Sequence, residues 1–348
     1  MIRQSDDLRE TAGDIDGVPP AVIREGLRRM IAARVFDTKA IAMHRRGKLG
    51  TFPPCAGQEA SFVGAALALD RERDWIVPQY REIPALVAHG APLEGIILYY
   101  MGDPAGGWWP GSVNALPFQI SIAAQLPQAV GIAWGLKRRA TGGAVLAFVG
   151  DGGTSEGDFH ESANLAGVQQ CPIVFFVSNN GWAISTPRAR QTAAASFADR
   201  AIGYGYDGVT VDGTDLLAVY RTVSEALATA RAGRPVIVES LTYRVGPHST
   251  VDDPRVYRSE DEVVPWRQSD GYDRLALRAR ESGLWSDTDE LAAREEATRE
   301  VDAAFERAQA AFKPATRQLG EHVWAHLPAQ TAAQLQELER RNARGERE

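Results

Sequence analysis

Residues 144–187 read AVLAFVGDGGTSEGDFHESANLAGVQQCPIVFFVSNNGWAISTP, and the rest of the chain is organised around them. Two apolar runs, 144–150 and 172–178, are short, rich in β-branched and aromatic residues, and lack the polar/apolar alternation of a half-exposed strand. That pattern predicts strands covered on both faces. The segment between them has the length of one helix, with Asp158 as its expected N-cap and Glu161 three residues on. Strand, helix, strand is a βαβ unit with a right-handed crossover. Asp151, Gly152 and Gly153 follow the first strand, and Asn179 and Asn180 follow the second. Parallel strands end on the same edge of a sheet, so both clusters face the crevice where open α/β sheets bind ligands.

The residue types say what that crevice is suited to hold. Asp151 offers a carboxylate, Asn180 an amide oxygen, and the loop after Asn180 a backbone carbonyl. Hard oxygens of this kind, completed by water and phosphate, satisfy the octahedron of Mg²⁺. Gly152 and Gly153 let backbone approach a phosphate closely, and a helix N-terminus favours negative charge. A dinucleotide fold requires G-x-G-x-x-G, but Ser155 stands at the third glycine position, and no acidic residue closes the second strand to take a ribose. The pattern favours a metal-bridged diphosphate over a nicotinamide dinucleotide.

Gly150-Asp151-Gly152, then the 26 residues from 153 to 178, then Asn179-Asn180, resembles the thiamine-diphosphate motif of thiamine enzymes. The flanking GTSEGDFHES and NNGWAISTP resemble, more narrowly, the α subunit of 2-oxo acid dehydrogenase E1 components, in both pyruvate and branched-chain forms. The resemblance implies an α/β fold, a doubly wound, mostly parallel sheet flanked by helices, with helical N- and C-terminal extensions. It implies thiamine diphosphate and Mg²⁺ as cofactors. Asp151, Asn180 and the carbonyl of Trp182 would ligate the metal, and Gly152 and Gly153 would lie against the cofactor. In DWIVPQYREIP, the family's pattern assigns Tyr80 and Arg81 to the cofactor, the arginine to its diphosphate; a planar guanidinium suits phosphate because it donates two parallel bonds. Ile120 and Ile122 align with positions whose backbone holds the aminopyrimidine. His248, in TYRVGPHSTVDD, matches a histidine close to the cofactor that assists acyl transfer to a lipoyl group, a task suited to a neutral imidazole. Ser249 is read as a residue of the site's mouth.

The chain departs from the family in three places. Phe52-Pro53-Pro54-Cys55 stands where relatives place a ligand-binding His or Tyr. Ser178 replaces an arginine that branched-chain relatives aim at phosphate, which leaves Arg81 more of the charge. Ile120, Ser121 and Ala124 match a branched-chain potassium site poorly, so no potassium is expected. Only one doubly wound unit is evident, whereas the chemistry also needs a carboxylate on the aminopyrimidine. By resemblance that group sits on an E1 β subunit in an α₂β₂ heterotetramer, which delivers its acyl group to a lipoylated acyltransferase, E2. The expected reaction is decarboxylation of a small 2-oxo acid, pyruvate or a branched-chain one, with acyl transfer to lipoamide; an acetoin dehydrogenase subunit and a non-catalytic scaffold subunit are the alternatives.

Composition agrees with this class. The 348 residues carry a formal net charge of −7 and no basic block, which argues against a nucleic acid partner. Cys55 and Cys171 are the only cysteines, too few for a disulfide framework. No apolar stretch reaches the roughly 18 residues of a membrane helix, and the first residues resemble neither a signal peptide nor a presequence. A cytoplasmic protein, with no membrane partner, is the expectation.

Along the chain, residues 1–18, with five acidic side chains, are expected to form a mobile arm, 19–330 the thiamine-diphosphate-binding unit, and 331–348 a charged helical tail. Helices are predicted over 20–46, ended by Gly47, and over 58–69, 125–139 and 216–232, with strands at 75–77, 209–211 and 235–240. The Gly- and Pro-rich stretch 102–119 reads as a long functional loop. Gly131 and Gly135 put small residues on one helix face, suited to an α–α contact. Arg255, Tyr257 and Arg258 are expected to tie down the loop of His248. Beyond residue 260 the chain reads as helical, anchored by Trp266, Leu275, Leu277, Leu284 and Trp285.

Overall fold

The computed structural model describes residue 15 and residues 17–313, 316–321 and 323–345. The elements run in order α1 (Pro20–Arg45), α2 (Glu59–Leu67), β1 (Trp75–Val77), α3 (Ile83–His89), α4 (Leu93–Met101), α5 (Gln125–Arg138), β2 (Val145–Gly150), α6 (Gly157–Gln169), β3 (Ile173–Asn179), β4 (Trp182–Ala183), β5 (Thr186–Pro187), α7 (Arg200–Gly203), β6 (Asp207–Asp212), α8 (Leu216–Arg231), β7 (Val236–Leu241), α9 (Glu260–Gln268), α10 (Gly271–Glu281), α11 (Asp287–Ala311) and α12 (Ala329–Ala343).

Five strands form one parallel sheet in the order β1-β2-β3-β7-β6. β2 is buried along all but its last residue and β3 along its whole length, as their unbroken apolar runs predict. Successive side chains alternate between two cores. Leu146, Phe148, Val174 and Phe176 pack with α2, α3, α4 and α8 on one face. Val145, Ala147, Val149, Phe175 and Val177 pack with α5 and α6 on the other. A third core joins α1 to α10 and α11 through Leu27, Met30, Leu275 and Trp285. Helices on both faces of a parallel sheet are the expected doubly wound arrangement.

Local expectations were met unevenly. Gly47 ends α1 in the left-handed region, at φ +68°. α6 starts earlier than Asp158: Glu156 is the N-cap residue and no side chain caps the helix. A 3₁₀ turn over Gly152–Ser155 shifts the start, and Asp158 becomes a first-turn residue. Leu275 and Trp285 are anchors, but Leu277 is 57% exposed, because it lies on the outer face of α10. Most of the expected mobile arm, residues 1–14 and 16, lies outside the described residues; Ile15 and Val18 are buried in the third core. α12 begins at Ala329 and has no buried residue. Among the described residues, no helix is long and apolar enough to cross a membrane.

Candidate active site at the strand ends

The carboxyl ends of β2 and β3 stand side by side because Gly150 pairs with Ser178 in the ladder. A cavity of about 210 Å³ opens there. Asp151, Gly152, Gly153, Asn180, Trp182, Tyr80, Arg81, Ile122 and His248 all line it. Ile120, 54% exposed, lines instead an adjoining chamber of about 510 Å³, together with Tyr99, Tyr100 and Ser249; Tyr80, Ile122 and His248 border both spaces. Apart from Ile120 and Ser249, the residues singled out from sequence thus converge on one cavity, although the chain separates them by up to 168 positions (80 to 248).

Asp151 is 2% exposed, and burial lifts its carboxyl to about 6. Its Oδ2 accepts a hydrogen bond from Gln191 Nε2 at 2.7 Å. Asn180 donates through Nδ2 to Gln58 Oε1 at 3.1 Å, which turns its Oδ1 toward the Trp182 N–H, 3.2 Å away. The Trp182 carbonyl accepts from Arg244 Nη1 at 3.1 Å. An amide or carbonyl oxygen has a second lone pair, so these contacts orient the oxygens without using them up. The backbone is also close-packed here: a Cβ on Gly152 would lie 2.6 Å from that of Ala183, and one on Gly153 would lie 2.6 Å from Val149 Cγ2. Glycine at both positions keeps the floor of the cavity bare.

The opposite wall is built from loops. Glu82 Oε2 accepts the N–H groups of Gln79 and Arg81, both at 3.1 Å, and so fixes the turn after β1. Arg81 donates through Nη1 to Pro54 O at 2.6 Å and through Nη2 to His248 O at 2.9 Å and His248 Nδ1 at 3.2 Å. A guanidinium only donates, so Nδ1 must accept, which puts the ring proton on Nε2. Burial first, then Arg81 and Arg244, pushes the His248 imidazole down to about 4. It is therefore neutral near pH 7. The Tyr80 ring stands edge-on to it, 6.1 Å between centroids.

The loop bearing His248 is held as expected, with one exception. Arg258 donates to the carbonyls of Arg244, Val245 and Gly246, and Tyr257 donates to Asp252 Oδ2 at 2.6 Å. Asp252 accepts the His248 N–H at 2.7 Å through the same oxygen. Among the described residues, Arg255 makes only an exposed pair with Asp253 and holds no other part of the loop.

Several positioning groups escaped the sequence reading: Gln58, Glu82, Gln191, Glu239, Arg244 and Glu262. Glu239, buried in β7, accepts from Asn179 Nδ2 at 2.7 Å and from the Phe197 N–H at 2.7 Å. Arg244, fully buried, bonds Trp182 O, Ile184 O and the Tyr257 hydroxyl. Glu262 accepts from the Trp182 indole and the Tyr243 hydroxyl, both at 2.8 Å. A glutamate in the apolar run PVIVES was the one available signal, since a lone carboxylate in a buried strand must have partners.

A metal and a diphosphate fit this donor set. Among the described residues no three His, Cys, Asp or Glu side chains cluster as a metal site. A cation here would be held by one carboxylate with neutral oxygens, a set suited to Mg²⁺. Two buried polar atoms of residues lining the cavity, Gln58 Nε2 and Ser178 Oγ, lack a hydrogen-bond partner. Buried polar groups are rarely left so, and a polar ligand would satisfy them.

The family described as Dehydrogenase E1 component matches residues 27–317. The pyruvate dehydrogenase E1 component subunit alpha of Staphylococcus epidermidis (strain ATCC 35984) is 40% identical over 314 residues, covering 90% of this chain and 85% of that protein. The protein of the same name from Staphylococcus aureus (strain Mu50) has the same identity and coverage. With its parallel sheet and the crevice at its strand ends, this chain belongs to the dehydrogenase E1 component family.

Proposed function

We propose that the chain is the α subunit of a thiamine-diphosphate-dependent 2-oxo acid dehydrogenase, an acyl-transferring oxidoreductase that works with an E1 β subunit and a lipoylated E2. The observation that carries this reading is that Asp151, Asn180 and Trp182 line one cavity together with Arg81 and His248. Asp151 and Asn180 would hold Mg²⁺ through side-chain oxygens and Trp182 through its backbone oxygen. Thiamine diphosphate supplies the carbanion chemistry that decarboxylates a 2-oxo acid.

The chain's own residues clamp, orient and exclude water. Arg81 would offer the diphosphate a remaining guanidinium N–H, since three of its bonds already hold Pro54 and His248. The backbone at Ile120 and Ile122 receives the aminopyrimidine. Tyr80, Ile122 and His248 separate the polar cavity from the larger chamber, whose tyrosines and isoleucines suit an apolar 2-oxo acid side chain. The His248 Nε2–H donates to the acyl acceptor during transfer.

The open face of α5 supports an assembled enzyme. A Cβ added at Gly131 or Gly135 would meet no atom within 4 Å. Small residues so exposed suit a helix that closes on its twin in an α₂β₂ heterotetramer. The substrate is pyruvate, as in the names of the relatives, or a branched-chain homologue; acetoin is the second choice. Calorimetric titration of the chain with thiamine diphosphate, with and without Mg²⁺, tests the clamp: Mg²⁺-dependent binding is expected, and binding indifferent to Mg²⁺ overturns it. Comparing kcat/KM for pyruvate and 2-oxoisovalerate after reconstitution with the β chain identifies the substrate. Decarboxylation by the α chain alone would refute the two-chain site.

A further inference from the structure

The turn at residues 52–57 supplies none of the groups assigned to the cofactor or metal, yet it is bonded from three directions. From α1, Asp37 Oδ2 accepts the Cys55 N–H at 2.7 Å. From the loop after β1, Arg81 Nη1 donates to Pro54 O at 2.6 Å. From the His248 loop, Thr250 N–H donates to Phe52 O at 2.8 Å, Phe52 N–H to Thr250 Oγ1 at 3.1 Å, and Val245 N–H to Ala56 O at 3.2 Å. Arg81 reaches His248 through its other terminal nitrogen. Five residues thus form one chain of contacts: Asp37, Pro54 and Cys55 through their shared peptide, Arg81 and His248.

Asp37 is the expensive member. It is 8% exposed and lines a small pocket with Ala33, Phe36, Ile83 and Val87, which Arg29 and Glu300 also border. The charges near it are Glu59 from α2, which opposes its ionisation, and Arg81, which favours it; burial outweighs both and lifts the carboxyl to about 7. A buried carboxylate is costly unless hydrogen bonds satisfy it. The carboxylate is explained by what it holds, the Cys55 amide.

We infer that Asp37 is a positioning residue: by holding the Cys55 amide it fixes the Pro54 carbonyl, which aims Arg81 and so keeps His248 in the Nε2–H tautomer facing the cavity. What His248 then donates to rests on the proposed function; the tautomer does not.

Two substitutions separate this role from packing. Asp37→Leu fills the space and removes the acceptor; Asp37→Asn keeps an acceptor for the Cys55 N–H. Histidine-labelled full-length chain, with the His248 resonances assigned through His248→Gln, reports the tautomer by NMR. Wild type and Asp37→Asn are expected to show the Nε2–H form alone, and Asp37→Leu a mixture with Nδ1–H. In the reconstituted α–β enzyme, Asp37→Leu should lower kcat for acyl transfer to lipoamide about tenfold, leave KM for the 2-oxo acid within about twofold, and be rescued by Asn. If Leu fails to fold, Asp37→Ala replaces it. An unchanged tautomer in the acceptor-less variant, or equal damage by Asn and Leu, overturns the inference. A wild-type assembly without turnover refutes the proposed function instead, and the tautomer measurement still decides the role of Asp37.

Discussion

The two walls of the crevice are made in different ways. One wall is the pair of strand tips bearing Asp151 and Asn180. Their juxtaposition is fixed by six consecutive pairings between β2 and β3 and by cores on both faces of the sheet. The other wall bears Arg81 and His248, which belong to loops and are joined through hydrogen bonds between residues far apart in the chain. The first wall is as rigid as the sheet. The second depends on a few bonds, each worth about 0.5–3 kcal/mol, and can be loosened without unfolding anything else.

Substitutions can break or sharpen that contrast, beginning with the largest expected effect. Asp151→Ala should weaken Mg²⁺-dependent binding of thiamine diphosphate by more than about a hundredfold, because it removes the one charged group of the proposed ligand set, yet leave the melting temperature almost unchanged. Calorimetry and a thermal melt measure the two sides; a large drop in melting temperature would show that the strand tip is not the rigid wall. Arg258→Met should cost about 2 kcal/mol or more locally, since the side chain bonds three consecutive loop carbonyls. Limited proteolysis should then cut near residue 250 while the sheet resists. Gln191→Leu should weaken Mg²⁺ affinity about tenfold, by leaving Asp151 Oδ2 without its donor; a titration followed by tryptophan fluorescence reads it.

A pH slope tests the loop wall by another route. The His248 imidazole has a folded pKa near 4, below its ordinary value of 6.5, so the unfolded chain binds this proton more readily. The stability due to neutral His248 is fully present above about pH 6.5 and is lost as the pH falls toward 4. His248→Gln should flatten that part of the denaturation-midpoint curve; an unaltered slope would mean that the loop does not shield the ring.

The same contrast explains what was legible in the sequence. The strand tips could be read because their signal is local: an apolar run, a GDG turn, a helix-length spacer and a second run lie within 44 residues, 144 to 187. His248 and Arg81 were found through resemblance, each standing in a recognisable short phrase. Their mutual contact was not legible, because nothing in a linear sequence announces a hydrogen bond across 167 positions. Gln58, Gln191 and Arg244 were missed for the same reason. The Asp158 cap failed because a 3₁₀ turn intervened, and turns of that kind have weak sequence signatures. Leu277 failed because a helix of such polar composition buries only one narrow stripe.

The bare floor at Gly152 and Gly153 limits how this enzyme could be retuned. With no side chain there to exchange, and no space to add one, variation cannot reshape the pocket from below. Under the proposed function, divergence toward bulkier or smaller substrates would have to arise at Tyr99, Tyr100 and Ile120, where side chains line a roomier chamber and a change need not disturb the proposed metal ligands.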